Sequence, residues 1–262
     1  MKAQDFIAKK VLITVKAYPY PSISYGETVC CAGVDLEDFK WIRLYPIPFR
    51  DLEDDKKFRK YSIIEADCAK SPGDLRPESY RIRSASIRIL DHIDTRKGWD
   101  KRKSIVLNLP VKSMCQVIED EKNAKASLGL IKPVNIAFHC EKKPKSDAGK
   151  RMKAYAQKSL FGRLKQPIEE IPYQFYYHFR CASELACPSH DLSITDWEIC
   201  QSFRRWKYRY RDEQELLRKI EDKWMDMVDD TKKDSYFYVG NLHRLQNIFT
   251  VLGTFYPPLM NP

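Results

Sequence analysis

Short apolar runs rich in β-branched and aromatic residues recur through the first half of the chain. They are VLITV (Val11–Val15), ETVCCAGV (Glu27–Val34), KWIRLY (Lys40–Tyr45), YSIIEADC (Tyr61–Cys68) and YRIRSASIRIL (Tyr80–Leu90). Turn formers separate them: Pro19, Pro21 and Gly26, then Pro46 and Pro48, then Pro72, Gly73 and Pro77. Branched and aromatic side chains fit a pleated surface, whereas proline and glycine interrupt a ladder. The spacing predicts five strands in a compact barrel or strongly curved sheet.

The period changes in the second half. After Pro110, the segment Val111–Lys125 places Val111, Met114, Cys115 and Ile118 at helical spacing. NIAFHC (Asn135–Cys140) and the aromatic run IPYQFYYHFR (Ile171–Arg180) return to a strand pattern. Two helices follow, over about Asp196–Tyr210 and Asp212–Val228, and SYFYVGN (Ser235–Asn241) with IFTVLGTFY (Ile248–Tyr256) reads as a closing hairpin. The expected class is α+β: a β-rich N-terminal half, then a mixed α/β C-terminal half. Composition divides the chain into a barrel-like unit over 1–140, a basic connector over 141–170 and an α+β region over 171–262.

Apolar residues make up 43% of the 262 positions and aromatics 12%, enough for a packed core. No apolar run approaches the ~20 residues that span a bilayer. Eight cysteines without a secretory pattern point to reduced thiols or metal ligands and to a cytoplasmic protein. The formal charge of +10 favours an anionic partner, DNA or RNA first. Much of that charge is concentrated. Between Glu141 and Lys165 nine lysines or arginines face two carboxylates, a local +7, with Lys142, Lys143, Lys145, Lys150 and Arg151 at its start. Such a block suits contact with phosphates.

Cys181, Cys187 and His190 offer three soft ligands within ten residues. Structural zinc takes four, with thiolate and imidazole favoured. Cys200, on the first turns of the next helix, is the nearest candidate for the fourth, and Cys140 is the alternative. If the site were catalytic, with an open position, Asp191, Asp196 or Glu198 would supply the base. Thr195 and Glu198 in TDWE stand three apart, as in a capping box, which gives these residues a structural role.

Arg204, Lys207 and Arg211 share one helical face, and Phe203, Trp206 and Tyr210 form a stripe on another. The row of cations matches a phosphate backbone. In the first half, strand alternation puts Trp41, Arg43 and Tyr45 on one face, with Arg81 and Arg83 on a neighbouring strand. An aromatic and basic face of that kind can stack a base. A small basic barrel with such a pocket resembles, in architecture, the PUA-like and SRA-like folds that read flipped or modified bases.

These features predict a nucleic-acid-binding protein with structural zinc, recognising a particular or modified base. Two rivals stand beside it. One is a nucleic-acid- or nucleotide-processing enzyme, such as a nuclease, deaminase or glycosylase, drawing on His190, Asp191, Glu198 or His243. The other is a protein-interaction module.

Overall fold

The computed structural model describes residues 5–22, 26–144, 169–182, 186–243 and 245–259. The architecture is α+β, as the pattern predicts, and it is organised around two curved sheets.

The first sheet uses β1 (Ile7–Lys16), β2 (Tyr20–Ser22), β3 (Gly26–Asp35), β4 (Lys40–Ile47), β5 (Ser62–Lys70), β6 (Ser79–Ile82) and β7 (Arg88–His92). The ladder runs β1-β3-β4-β6-β5, and β1 pairs again with β5, so five strands close into a barrel. All of these pairings are antiparallel except β4 with β6. β1 can serve both neighbours because it is ten residues long. Ile7–Leu12 pairs with β5 and Val11–Lys16 with β3. The predicted strand Tyr80–Leu90 is broken in two by a short 3₁₀ turn at Ser84–Ser86, where Arg83 and Ser86 bond locally.

The second sheet holds β8 (Val111–Lys112), β9 (Leu128–Ile131), β10 (Pro133–Lys142), β11 (Tyr173–Cys181), β12 (His190–Ile194), β13 (Tyr236–Asn241) and β14 (Phe249–Phe255). Its order is β10-β11-β12-β14-β13-β9-β8. Only Lys132 separates β9 from β10, and Pro133 after it cannot donate to the ladder, so the ladder breaks there. Taken as one bent strand, β9–β10 pairs with β13 at one end and β11 at the other, and this sheet also curls back on itself. β12 and β14 are parallel, the same position in the order that β4 and β6 hold in the first barrel. Both sheets therefore share one Greek-key strand order, that of the five-stranded OB type of barrel.

The sequence pattern closes its first unit at residue 140, but β8, β9 and β10 all hydrogen-bond into the second sheet. The composition shift after residue 140 falls between two strands of one sheet, β10 and β11. Among the described residues there are four α-helices: α1 (Arg96–Val106), α2 (Met114–Lys122), α3 (Trp197–Trp206) and α4 (Glu213–Asp226). Ile199, Phe203, Leu216, Ile220 and Trp224 pack α3 and α4 onto the interior of the second barrel beside Phe175, Tyr177 and Phe237.

Alternate residues of the same strands build the contact between barrels. On β1, Val11 and Ile13 point into the first barrel, while Leu12 and Val15 join Leu128, Leu130, Tyr238 and Leu252 in a separate buried cluster. This is why VLITV is apolar at four of its five positions and buried at all of them: both of its faces are covered.

Polar groups also cross the junction. Arg43, 3% exposed, donates to the Ser127 carbonyl and hydroxyl, each at 3.1 Å. Glu78 accepts from the Ser127 amide (2.7 Å) and hydroxyl (2.8 Å) and from the Leu128 amide (3.3 Å). Arg76 bonds the Asn241 carbonyl, and Lys60 holds Asp196 at 2.6 Å.

Candidate metal centre and nucleic-acid face

Cys115, Cys181, Cys187 and His190 bring one ligand atom each to a single point, all four within 4.8 Å of one another. Cys181 ends β11, His190 opens β12, and Cys187 lies in the turn between them. The fourth ligand is Cys115, supplied by α2 from 66 residues upstream. Neither residue expected for that place joins the cluster. Cys200 is buried on α3, and Cys140 sits on β10 among residues packed against the core. The backbone explains the choice. Ser113 caps α2 and accepts from the Gln116 amide, which puts Cys115 in the first helical turn, where the helix dipole favours a thiolate.

The spacing fits a tetrahedral ion. A zinc about 2.3 Å from sulfur and about 2.05 Å from nitrogen sets sulfurs about 3.8 Å apart and sulfur about 3.6 Å from nitrogen. The Cys181 and Cys115 sulfurs are 3.9 Å apart. His190 Nε2 lies 3.5, 3.4 and 3.3 Å from the sulfurs of Cys115, Cys181 and Cys187. Burial pushes the Cys181 thiol up. Burial acts the same way on Cys187, but amide donation from Cys181 and Ser189 outweighs it and holds that thiol below its ordinary value. This Cys3His cluster could hold a metal ion.

β11 carries the site away from this cluster. Phe175, Tyr177 and Phe179 turn into the core, so Tyr176, His178 and Arg180 alternate onto the outer face. Across the ladder Tyr176 faces His139 of β10 and Ser193 of β12, and His178 faces Ala137 and Asp191. The Tyr176 and His139 rings stack 4.7 Å apart and 4° from parallel. His139 Nε2 lies 2.8 Å from Asp191 Oδ1. Arg180 is anchored by a bond to the Cys187 carbonyl. Tyr176, His178 and Arg180 were all passed over in the sequence. Only the period-two alternation of IPYQFYYHFR hinted that half of that run faces outward.

The predicted cations fall into three groups. Lys142 and Lys143 end the described part of β10 beside the start of β11, with Lys142 3.8 Å from Glu213. Arg204 and Lys207 converge there too, but both meet Glu169, Arg204 at 3.6 Å. Lys207 and Arg211 border a shallow cavity of about 360 Å³ lined also by Glu169, Pro172, Tyr210 and Glu213. The cationic row is thus partly neutralised. Lys145, Lys150 and Arg151 lie outside the described residues.

The third group is in the first barrel. Trp41, Arg43 and Tyr45 do not line an open pocket. Trp41 packs edge-on against Tyr238 at 5.9 Å, Arg43 is buried at Ser127, and the Tyr45 hydroxyl bonds Thr28. The second barrel covers this face. Arg83 stays exposed over the Phe6 ring and 3.6 Å from Asp67, and Arg81 is half-buried on β6.

Of the catalytic candidates, His190 belongs to the metal cluster and Asp191 pairs with His139. His243 is exposed, 3.6 Å from Asp74. Glu198 approaches Lys60 at 3.4 Å. The helix cap is Asp196 rather than Thr195: its carboxylate accepts from the Glu198 amide at 3.0 Å. Thr195 still pairs with β14 through Val251, so the helix begins one residue later than the capping-box spacing suggests. Burial raises Asp196 to about 6 against the pull of Lys60.

The two halves match separate family models. Residues 7–108 match a domain of unknown function (DUF8758) and residues 110–262 a domain of unknown function (DUF8757). The second match covers more than half of the chain. The chain belongs to the DUF8757 family. The DUF8757 region spans the second sheet, all four metal-cluster residues and the outer face of β11. No curated protein matches. Among solved structures, the tetrameric p202 HIN2 aligns over 99% of this chain and 98% of that one, at 6% identity and a TM-score of 0.32. A murine DNA-binding protein bound with double-stranded DNA aligns over 97% of each, at 9% identity and a TM-score of 0.32. Likeness at that level carries no functional argument. Among the described residues, no helix is long and apolar enough to cross a membrane.

Proposed function

We propose that the protein is a cytoplasmic nucleic-acid-binding protein whose binding face is the outer surface of β10, β11 and β12, braced by zinc in the Cys3His cluster. The observation that carries this reading is the half-buried, parallel Tyr176–His139 stack with exposed Arg180 on the same face. Flat rings presented on an open sheet accept bases by stacking, and neighbouring cations hold the phosphates. The corresponding face of the first barrel is closed by the second, which leaves one such surface among the described residues. One end of it lies beside Lys142, Lys143, Lys207 and Arg211. The basic segment between β10 and β11 is tethered at the same end, and Lys145, Lys150 and Arg151 fit a role as phosphate contacts there.

Zinc fits the ligand set because three thiolates and an imidazole gathered within 4.8 Å of one another suit a closed structural site. Binding of labelled homopolymeric RNA and DNA across a salt series tests the reading. Affinity should fall steeply with salt, and Tyr176→Ala should weaken it about five- to a hundredfold, as loss of one base stack implies. Salt-insensitive binding, or affinity unchanged by Tyr176→Ala, refutes it.

A further inference from the structure

We propose that the outer face of β10–β12 also cleaves single-stranded RNA, by metal-independent attack of the ribose 2′-hydroxyl on the adjacent phosphate. This rests on the binding reading for the same face and adds a reaction to it.

The face holds two imidazoles and one cation on the neighbouring strands β10 and β11. His139 is fixed from two sides: Asp191 Oδ1 meets its Nε2 at 2.8 Å, and Tyr176 stacks on its ring. With Nε2–H donated to the carboxylate, Nδ1 carries the lone pair, the tautomer a general base requires. His178 is exposed on the neighbouring strand, opposite Ala137 and diagonal to His139. Diagonal neighbours on one sheet face are about 7–8 Å apart. Arg180 projects from the same strand face two residues on, and Tyr176 offers a surface to an unstacked base.

The step balances with these groups alone. His139 Nδ1 takes the 2′-hydroxyl proton as the 2′-oxygen bonds to phosphorus. The bond from phosphorus to the 5′-oxygen breaks, and a protonated His178 gives its proton to that oxygen. Arg180 offsets charge gathering on the phosphoryl oxygens. The products are a 2′,3′-cyclic phosphate and a 5′-hydroxyl, and solvent exchange resets both imidazoles. No water is consumed, and the metal cluster serves only to hold the ends of β11 and β12. Asp191 is a positioning residue. Other charged or titratable groups on this face are Glu141 on β10, Tyr176 and Arg180 on β11, and Asp191 on β12.

The experiment uses the full chain, loaded with zinc and then freed of loosely bound metal. Its probes are a single-stranded RNA oligonucleotide and a matched strand whose 2′-hydroxyls are replaced by hydrogen. The expected result is cleavage of the RNA alone to cyclic-phosphate ends, persisting in magnesium-free buffer. His139→Ala and His178→Ala should each lower the rate at least 100-fold while binding to the deoxy strand stays within about threefold, which also reports folding. Asp191→Asn should lower kcat and displace the pH–rate profile with little change in KM, and Asp191→Glu should restore part of the rate. Binding of both strands without cleavage, or cleavage unchanged in both histidine variants, overturns this proposal and leaves the binding reading intact. Failure of either strand to bind overturns both.

Discussion

Replacing Cys115 by serine tests the metal centre at the ligand that comes from outside the knuckle. In the folded chain the four ligand atoms lie within 4.8 Å of one another, and the Cys115–Cys181 edge and the three edges to His190 are within a few tenths of an ångström of tetrahedral lengths, so binding needs little rearrangement. A serine hydroxyl is harder than a thiolate and remains protonated near neutral pH. Changing residues that merely support metal ligands costs 10- to 100-fold in affinity, and losing a ligand should cost at least about 100-fold. At fixed free zinc above both dissociation constants, that lowers the linked folding stability by about 2.7 kcal/mol. For a chain of this size it corresponds to a fall in Tm of roughly 5–10 °C. Metal content by mass spectrometry, competition with a chromophoric chelator and thermal unfolding with and without chelator measure the three consequences. Cys200→Ser is the matched control. It alters a buried thiol outside the cluster, so it should destabilise while keeping one zinc per chain. Cys115→Ser retaining wild-type zinc affinity, or Cys200→Ser losing the metal, refutes the assignment. So does a wild-type Tm indifferent to chelator.

Two further outcomes bear on the junction between the barrels. Glu78→Ala strands the amides of Ser127 and Leu128 in a buried site, at about 1–3 kcal/mol each, so urea unfolding should show a loss of roughly 2–6 kcal/mol. Glu78→Gln keeps an acceptor and should lose distinctly less, and equal losses would contradict the bonding described. For Asp74, burial acts to raise the carboxyl, but bonds from Arg76 and Ser79 outweigh it and hold it well below the usual range. A depressed folded-state pKa gives stability that is complete above the ordinary value near 4 and is lost as pH falls below it. Asp74→Asn should therefore be less stable than wild type at pH 6, with the gap narrowing as pH drops below 4. A gap that stays constant from pH 6 to pH 2 in thermal unfolding would rule this out.

Much of the fold was legible because its signals are local. The run of β-branched residues in VLITV and the alternation in IPYQFYYHFR each report a nearby constraint and became the expected strands, whereas the helix expected over Asp196–Tyr210 formed but ends at Trp206, which leaves Lys207, Tyr210 and Arg211 beyond it. The knuckle of Cys181, Cys187 and His190 was legible for the same reason, since nine residues of chain are enough to bring the three together. The β9–β10 bend was not, because Lys132–Pro133 signals an interruption without saying which strands lie on either side.

The sequence by itself determined that this is a basic α+β protein with a strand-rich first half, amphipathic helices near its end and most of a thiolate-imidazole site. Tertiary structure decided which of the candidate residues meet and which stay open. It brought Cys115 to the knuckle in place of Cys200, buried Arg43 and Trp41 under the second barrel, and set Glu169 against Arg204 and Lys207. It also aligned His139, Tyr176 and Asp191, from three different strands, on one open face. The reason is physical. Periodicity records whether a side chain faces in or out of its own element, whereas a site across strands depends on register and on what packs over the face, and those are fixed only when distant parts of the chain close together.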